Sequence, residues 1–228
     1  MDNEHNASID GDQWAQCVRD NGWLWSAAAG GVSKQAPTLI LAHGSGAPMD
    51  SGFMTNFAAR LAALGINVLR FEFPYMAQRR LDGGKRPPNT TPKLLEHWRE
   101  VYGVVRRHVA GPLAIGGKSM GGRMASMVAD ELGADALVCL GYPFYAVGKP
   151  EKPRVEHLPG LKTPTLIVQG ERDALGDRAA VAGYTLSPRI EVLWLVSGDH
   201  DLKPLKASGF THEQHLATAA GRGAAFLQ

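Results

Sequence analysis

Residues 113–122 constrain this chain more than any other stretch. Their sequence, LAIGGKSMGG, predicts a short apolar strand that runs through the turn 117–121 (GKSMG) directly into a helix rich in small residues. A serine that projects from such a sharp turn needs strained backbone angles, so the residues two positions before and after it must be small. The following helix directs its free N–H groups and the positive end of its dipole towards the serine. This strand–turn–helix form of G-x-S-x-G predicts a nucleophilic serine at Ser119.

The same turn has two other interpretations. Glycine-rich turns around a serine also occur for structural reasons alone, so Ser119 needs catalytic partners elsewhere in the chain. Gly117, Lys118 and Ser119 also match the end of the phosphate-binding pattern G-x-x-x-x-G-K-S. The first glycine of that pattern would fall at position 112, which is Pro112, and a predicted strand replaces the loop. The spacing therefore argues against phosphate binding.

The bulk properties indicate one ordinary domain. The chain has 228 residues and a net charge of +2, which predicts no nucleic-acid partner. Its polar start does not resemble a signal peptide, and no apolar run reaches membrane-spanning length, so we expect a cytoplasmic protein without a membrane partner. Cys17 and Cys139 lie in unlike contexts and are expected to be unpaired. We expect residues 1–36 to pack on or extend the sheet of a main domain at 37–228.

Apolar strand patterns and helical patterns alternate after Pro37. The predicted strands are 38–42, 66–71, 113–116, 136–140, 165–169 and 191–196, and the predicted helices are near 52–64, 93–108, 120–132, 177–184 and 211–227. The strands are continuous apolar runs, which is typical of a parallel sheet covered on both faces. The predicted fold class is α/β, a single doubly wound and mostly parallel sheet with helices on both faces and no large cap domain.

Two long connections, 72–91 and 142–164, follow strands and should therefore lie at the carboxyl edge of the sheet, where ligands bind in such folds. In the second, Tyr142 and Phe144 belong to an aromatic cluster that is expected to line a substrate pocket. The first is either a solvated loop or a site that favours anionic substrates, because it carries four basic residues: Arg79, Arg80, Lys85 and Arg86.

Partners for Ser119 occur in the order that this fold requires, an acid and then a histidine. Asp173 follows the strand 165–169, and His200 follows the strand 191–196. His200 is expected to act as the general base, and Asp173 to orient its imidazole. The turn 43–46 (HGSG) also follows a strand, and its Ser45 N–H is expected to form an oxyanion hole with the N–H of Met120. Gly44 and His43 of this turn are further candidates for the pocket.

Other titratable residues compete for these roles. Glu171 is nearer to its strand end than Asp173, whereas Asp177 has the position of a helix cap. His43 is expected chiefly to brace its turn, and Asp199 and Asp201 to act electrostatically or as caps. The i, i+3 pair His212 and His215 could bind a metal, but with no third ligand nearby we predict no metal and no cofactor. His97 and His108 lie on a helical pattern and are expected at the surface.

Together these segments resemble the α/β-hydrolase superfamily over residues 37–228. The segments are HGSG at 43–46, GKSMG at 117–121, GERD at 170–173 and GDH at 198–200. The stretches GYPF at 141–144 and GKPEK at 148–152 also resemble a small branch near dienelactone hydrolases and testis-expressed-30-like proteins. The resemblance implies a Ser-His-Asp triad and an esterase-like activity. Dienelactone hydrolases use a cysteine nucleophile, so Ser119 puts dienelactone as a substrate in doubt.

The predicted activity is hydrolysis of a small carboxylic ester, a small-molecule substrate, through an acyl-enzyme. A thioesterase or small peptidase would use the same machinery. The alternative from another class is a non-catalytic scaffold, because function does not follow from fold. The triad in order favours the enzyme. The oligomeric state and the natural substrate are left open by the sequence.

Overall fold

The computed structural model describes residues 11–29 and 35–228, and these residues form seven strands and seven helices. The strands are β1 (Leu24–Ser26), β2 (Thr38–Ala42), β3 (Asn67–Phe71), β4 (Leu113–Lys118), β5 (Leu137–Leu140), β6 (Thr165–Gly170) and β7 (Ile190–Leu195). The helices are α1 (Gly11–Asp20), α2 (Gly52–Ala63), α3 (Pro74–Asp82), α4 (Thr91–Arg106), α5 (Met120–Leu132), α6 (Arg178–Val181) and α7 (His212–Leu227).

All seven strands belong to one sheet in the order β1-β3-β2-β4-β5-β6-β7. Every neighbouring pair is parallel except β1 with β3, which is antiparallel. The carboxyl ends of β2 to β7 therefore meet at one edge, as parallel strands require. The mostly parallel sheet predicted from the sequence is confirmed.

Helices cover both faces of the sheet, and each face has its own apolar core. Alternate residues of a strand point to opposite faces. In β2, Leu39 and Leu41 pack with α2 and α7, whereas Ile40 and Ala42 pack with α4 and α5. This two-sided burial explains why the strands are continuously apolar in sequence.

The N-terminal segment contributes α1 and β1, and β1 extends the sheet at the edge formed by β3. Residues 1–10 and 30–34 of that segment lie outside the described residues. Cys17 and Cys139 are both free, and burial raises the pKa of the Cys139 thiol. Among the described helices, none is both long enough and apolar enough to cross a lipid bilayer.

The connection 72–91 differs from the expected irregular loop, because nine of its residues form α3. Two local signals mark this helix. Pro74 stands in its first turn, where its missing N–H costs nothing, and Gly83 ends it with a left-handed φ of 70°. The sequence of α3 shows no apolar helical periodicity, because only two of its residues, Tyr75 and Met76, are buried.

Candidate active site

Ser119 lies between β4 and α5 in a conformation that few non-glycine residues adopt. Its φ is 52° and its ψ is −118°. A backbone of this kind costs about 1–3 kcal/mol and persists only where its surroundings hold it. Here the Ser119 N–H donates to Leu140 O of β5 at 2.9 Å, and the Arg123 N–H donates to Ser119 O at 3.0 Å. The side chain consequently projects from the turn at the carboxyl edge of the sheet.

Two glycines flank Ser119 because main chain passes close to both of them. A Cβ on Gly117 would lie 2.6 Å from Gly121 C, and a Cβ on Gly121 would lie 2.5 Å from His43 O. Both distances are shorter than any normal contact, and the obstructing atoms belong to the backbone. The small residues predicted from the sharp turn are therefore sterically required.

Gly121→Ala should lower the free energy of unfolding by about 1–3 kcal/mol, because the added methyl group must displace the main chain of His43. Gly103→Ala is the matched control. Gly103 lies in α4, and a Cβ there would meet no heavy atom within 4 Å. The control should be more stable than wild type by up to about 1 kcal/mol. Urea denaturation of both variants measures this difference, and equal midpoints would contradict the steric explanation.

Ser119, His200 and Asp173 are joined in one chain of hydrogen bonds. Ser119 Oγ lies 2.9 Å from His200 Nε2, and His200 Nδ1 lies 2.8 Å from Asp173 Oδ2 and 3.0 Å from Asp173 Oδ1. An ionised carboxylate can only accept, so the proton of a neutral His200 lies on Nδ1. Nε2 is then free to accept the Ser119 hydroxyl proton. The three residues predicted as a triad are thus brought together.

Asp173 is fully buried and held by two further donors. The Leu175 N–H donates to its Oδ1 at 2.8 Å, and Gln169 Nε2 donates to its Oδ2 at 2.9 Å. Gln169 also bonds both main-chain polar groups of Tyr142. Sequence reasoning missed Gln169, although a polar residue at the end of the apolar strand β6 was a usable signal.

The competing acids have other partners. Asp177 accepts from the Ala180 N–H at 2.8 Å, which makes it the N-cap of α6 as its position predicted. Glu171 binds Arg178 and the Ser197 N–H at 2.8 and 3.0 Å. Of the three, Asp173 is the residue bonded to the His200 ring.

The N–H groups of Met120 and Ser45 have no hydrogen-bond acceptor within the described parts of the chain. Met120 is the first residue of α5, so its N–H has no partner inside the helix. Ser45 lies in the turn after β2, on the wall of the cavity beside Ser119.

His43 is buried beneath this turn and braces it. Its Nε2 accepts from the Phe73 N–H at 3.1 Å, so Nδ1 carries the proton and donates to Gly44 O at 2.6 Å. Burial lowers the pKa of His43, which favours this neutral form. The Tyr75 hydroxyl donates to Ser45 O at 3.0 Å, and burial raises the pKa of Tyr75 to about 12. The turn is thus held in place from below.

A cavity of about 210 Å³ opens beside Ser119. Its wall is formed by Gly44, Ser45, Gly46, Ala47, Ser51, Phe53, Met54, Lys118, Ser119, His200 and Asp201. Gly44 is on this wall as predicted, whereas His43, Tyr142 and Phe144 are not. All three are completely buried.

Tyr142 and Phe144 belong to the core instead of the pocket. Their rings pack on each other at 4.8 Å, and Phe144 stacks on Tyr184 at 6.0 Å. The Tyr142 hydroxyl donates to Arg154 O at 3.3 Å. The connection 142–164 therefore folds these rings inward, and the pocket prediction for both residues was wrong.

The four basic residues of the connection 72–91 are likewise absent from the wall of the Ser119 cavity. Arg80 binds the carboxylates of Glu72 and Asp50, and Arg86 pairs with Asp82. The charges of Arg80 and Arg86 are therefore neutralised by carboxylates in or near α3. The expected preference for anionic substrates has no support from this arrangement.

Comparison with known proteins agrees with this geometry. A family model described as an alpha/beta hydrolase domain matches residues 35–228. The chain therefore belongs to the α/β-hydrolase family, as the resemblance predicted.

Three solved structures illustrate how widely the fold is shared. An α/β serine hydrolase homologue from Coxiella burnetii is 19% identical, with a TM-score of 0.68 over 90% of this chain and 91% of that one. A lidless α/β serine hydrolase from Xanthomonas campestris is 20% identical, with a TM-score of 0.63 over 88% of each chain. A dienelactone hydrolase from Anabaena variabilis is 18% identical, with a TM-score of 0.66 over 90% of this chain and 89% of that one. At these identities the likeness concerns the fold.

Proposed function

We propose that this protein is a serine hydrolase that cleaves small carboxylic esters through an acyl-enzyme intermediate. The observation that carries the proposal is the continuous chain of hydrogen bonds from Ser119 through His200 to the buried Asp173. A serine hydroxyl is a weak nucleophile until a base in hydrogen-bonding distance removes its proton. His200 Nε2 is at that distance, and Asp173 stabilises the imidazolium that forms.

The reaction follows from these positions. Ser119 Oγ attacks the ester carbonyl carbon while His200 takes the hydroxyl proton, and the carbonyl oxygen becomes an oxyanion. The N–H groups of Met120 and Ser45 would bind this oxyanion, and each such donor typically contributes about 3 kcal/mol to lowering the barrier. Collapse breaks the bond to the alcohol, which leaves with the proton from His200. Water, deprotonated by His200, then releases the acid and restores Ser119.

The size of the cavity favours a short acyl group. Its volume is about 210 Å³, whereas pockets for drug-sized ligands have roughly 300–1,000 Å³. Ala47, Phe53 and Met54 give it an apolar wall opposite the polar machinery. We therefore expect acetyl to butyryl esters to be better substrates than octanoyl esters.

Phe53→Ala should shift the preference towards longer acyl chains, because it removes the largest apolar side chain of the cavity wall. The ratio of kcat/KM for p-nitrophenyl octanoate to that for the butyrate should rise about tenfold, since a methylene in an apolar pocket changes specificity by roughly 10- to 200-fold. Leu81→Ala, which truncates an exposed side chain away from the cavity, is the control and should leave the ratio unchanged. An unchanged ratio in Phe53→Ala would exclude Phe53 from acyl selection.

Covalent labelling tests the function directly. A small fluorophosphonate reacts with a serine only where the base and the oxyanion donors are assembled, so a single adduct on Ser119 is expected by intact mass and peptide mapping. A panel of esters, thioesters and peptides then separates the substrate classes that share this machinery. A folded protein that gives neither an adduct nor hydrolysis would favour the non-catalytic scaffold.

A further inference from the structure

Lys118 is an unusual residue for its position at the end of β4. Its side chain is only 9% exposed, although burying an ammonium group is costly unless its charge and its N–H groups find partners. Both partners come from the loop that carries His200. Lys118 Nζ donates to His200 O at 2.9 Å and lies 3.2 Å from Asp201 Oδ1. The residue immediately before Ser119 is thereby bonded to the main chain of the histidine that faces Ser119.

Gly141 makes room for this contact at the end of β5. Its φ is 61°, and a Cβ there would lie 2.7 Å from His200 O and 3.3 Å from Lys118 Nζ. The end of β4, the end of β5 and the His200 loop can therefore meet because position 141 has no side chain.

Carboxylates around the loop compensate for the burial of the ammonium group. Burial lowers the pKa of Lys118, and the negative charges of Asp201, Asp173 and Asp199 act in the opposite direction. Asp199 also closes the loop itself, because its Oδ1 accepts from the N–H groups of Asp201 and Lys203, both at 2.9 Å. The acidic residues that flank His200 in sequence therefore act as a counter-charge and as a cap.

Two side chains of α7 donate hydrogen bonds to the next two carbonyls of the loop. His212 Nε2 donates to Asp201 O at 2.9 Å, and His215 Nδ1 donates to Leu202 O at 2.8 Å. His212 and His215, whose i, i+3 spacing in the sequence could suit a metal, thus donate hydrogen bonds to main-chain carbonyls. The carbonyl oxygens of residues 200, 201 and 202 thus each accept a hydrogen bond from a side chain outside the loop. Lys118 donates to the first of them.

We propose that Lys118 is a positioning residue, which fixes the main chain of His200 so that its imidazole stays aligned between Ser119 and Asp173. The inference rests on the proposed function for its catalytic consequence and on the contacts above for its geometry. A shift of about 1 Å in a catalytic group can reduce the rate about 100-fold. Loss of the bond to His200 O should therefore slow proton removal from Ser119, while Ala47, Phe53 and Met54 still form the apolar wall of the cavity.

Lys118→Met tests this because methionine fills much of the lysine volume but cannot donate a hydrogen bond. We expect kcat for p-nitrophenyl butyrate to fall about 10- to 100-fold, KM to stay within about twofold, and the rate of fluorophosphonate labelling at Ser119 to fall by the same factor as kcat. Lys203→Met is the matched control, since it removes an exposed lysine from the same loop, and it should stay within about twofold of wild type in all three quantities. Lys118→Leu, which also lacks a donor, provides a second variant should the methionine variant not fold.

A second measurement does not depend on catalysis. The proton between His200 Nδ1 and Asp173 should give a far-downfield signal in the ¹H NMR spectrum of the wild type, because the surrounding contacts protect it from exchange. In Lys118→Met or Lys118→Leu this signal should broaden as the imidazole becomes mobile. A wild type that neither hydrolyses esters nor reacts with fluorophosphonate would refute the proposed function, and the NMR comparison would still test the positioning. A folded variant with a wild-type labelling rate and an unchanged signal would overturn the positioning role.

Discussion

Ser119→Ala should reduce ester hydrolysis by at least about 10³-fold and abolish fluorophosphonate labelling, while the protein remains folded. The variant lacks the oxygen that would attack the carbonyl, and loss of a catalytic serine typically costs as much as loss of the whole triad. The substitution removes one partly buried hydrogen bond, from Ser119 Oγ to His200 Nε2, and adds no atoms to the tight turn. Initial rates with p-nitrophenyl butyrate and a thermal melt measure both quantities.

Ser51→Ala is the matched control for this experiment. Ser51 also lies on the wall of the cavity, but its side chain makes no capping hydrogen bond to α2. Its loss should change kcat by less than about threefold, because a hydroxyl outside the triad contributes no more than ordinary binding. Activity within tenfold of wild type in a folded Ser119→Ala would mean that another group performs the attack.

Asp173→Asn should lower kcat by roughly 10⁴-fold with little change in KM. The asparagine amide offers two N–H donors where Asp173 now accepts three hydrogen bonds, from His200, Gln169 and Leu175. If the amide nitrogen faces His200, the imidazole must carry its proton on Nε2, so it can no longer accept the proton of Ser119. Steady-state kinetics against pH provide the measurement.

Asp177→Asn serves as the control, because it makes the same change four residues later at the cap of α6. Asparagine is as good an N-cap as aspartate, so stability and kcat should both remain close to wild type. If Asp173→Asn retained more than about a tenth of wild-type kcat, the orienting role of Asp173 would be wrong.

The parts of this molecule that could be predicted from sequence are those set by local constraints. The continuous apolar strands follow from burial on both faces, and the glycines around Ser119 follow from the close approach of main chain at Gly117 and Gly121. Asp173 and His200 could be found because each follows a strand of a parallel sheet, and the ends of those strands share one edge.

The parts that could not be predicted depend on how connections fold back in three dimensions. Tyr142 lies two residues after the end of β5, at the edge of the sheet where a pocket residue is expected. Its ring is nevertheless buried in the core beside Phe144. Lys118 occupies a variable position of the G-x-S-x-G pattern, and its importance is visible only once the His200 loop lies against it. Sequence places such residues at an edge of the sheet, but the direction of each side chain depends on long-range packing.

The wall of the cavity has a consequence for how proteins with this site could differ in the ligands that they accept. Its apolar part comes from Ala47, Phe53 and Met54 in one short stretch, whereas Ser119, Asp173 and His200 follow the strands β4, β6 and β7. The apolar wall and the triad are thus encoded in separate segments. Under the proposed function, exchange of the eight residues 47–54, which leaves Ser45 in place, could change the acyl preference while Ser119, Asp173 and His200 keep their positions.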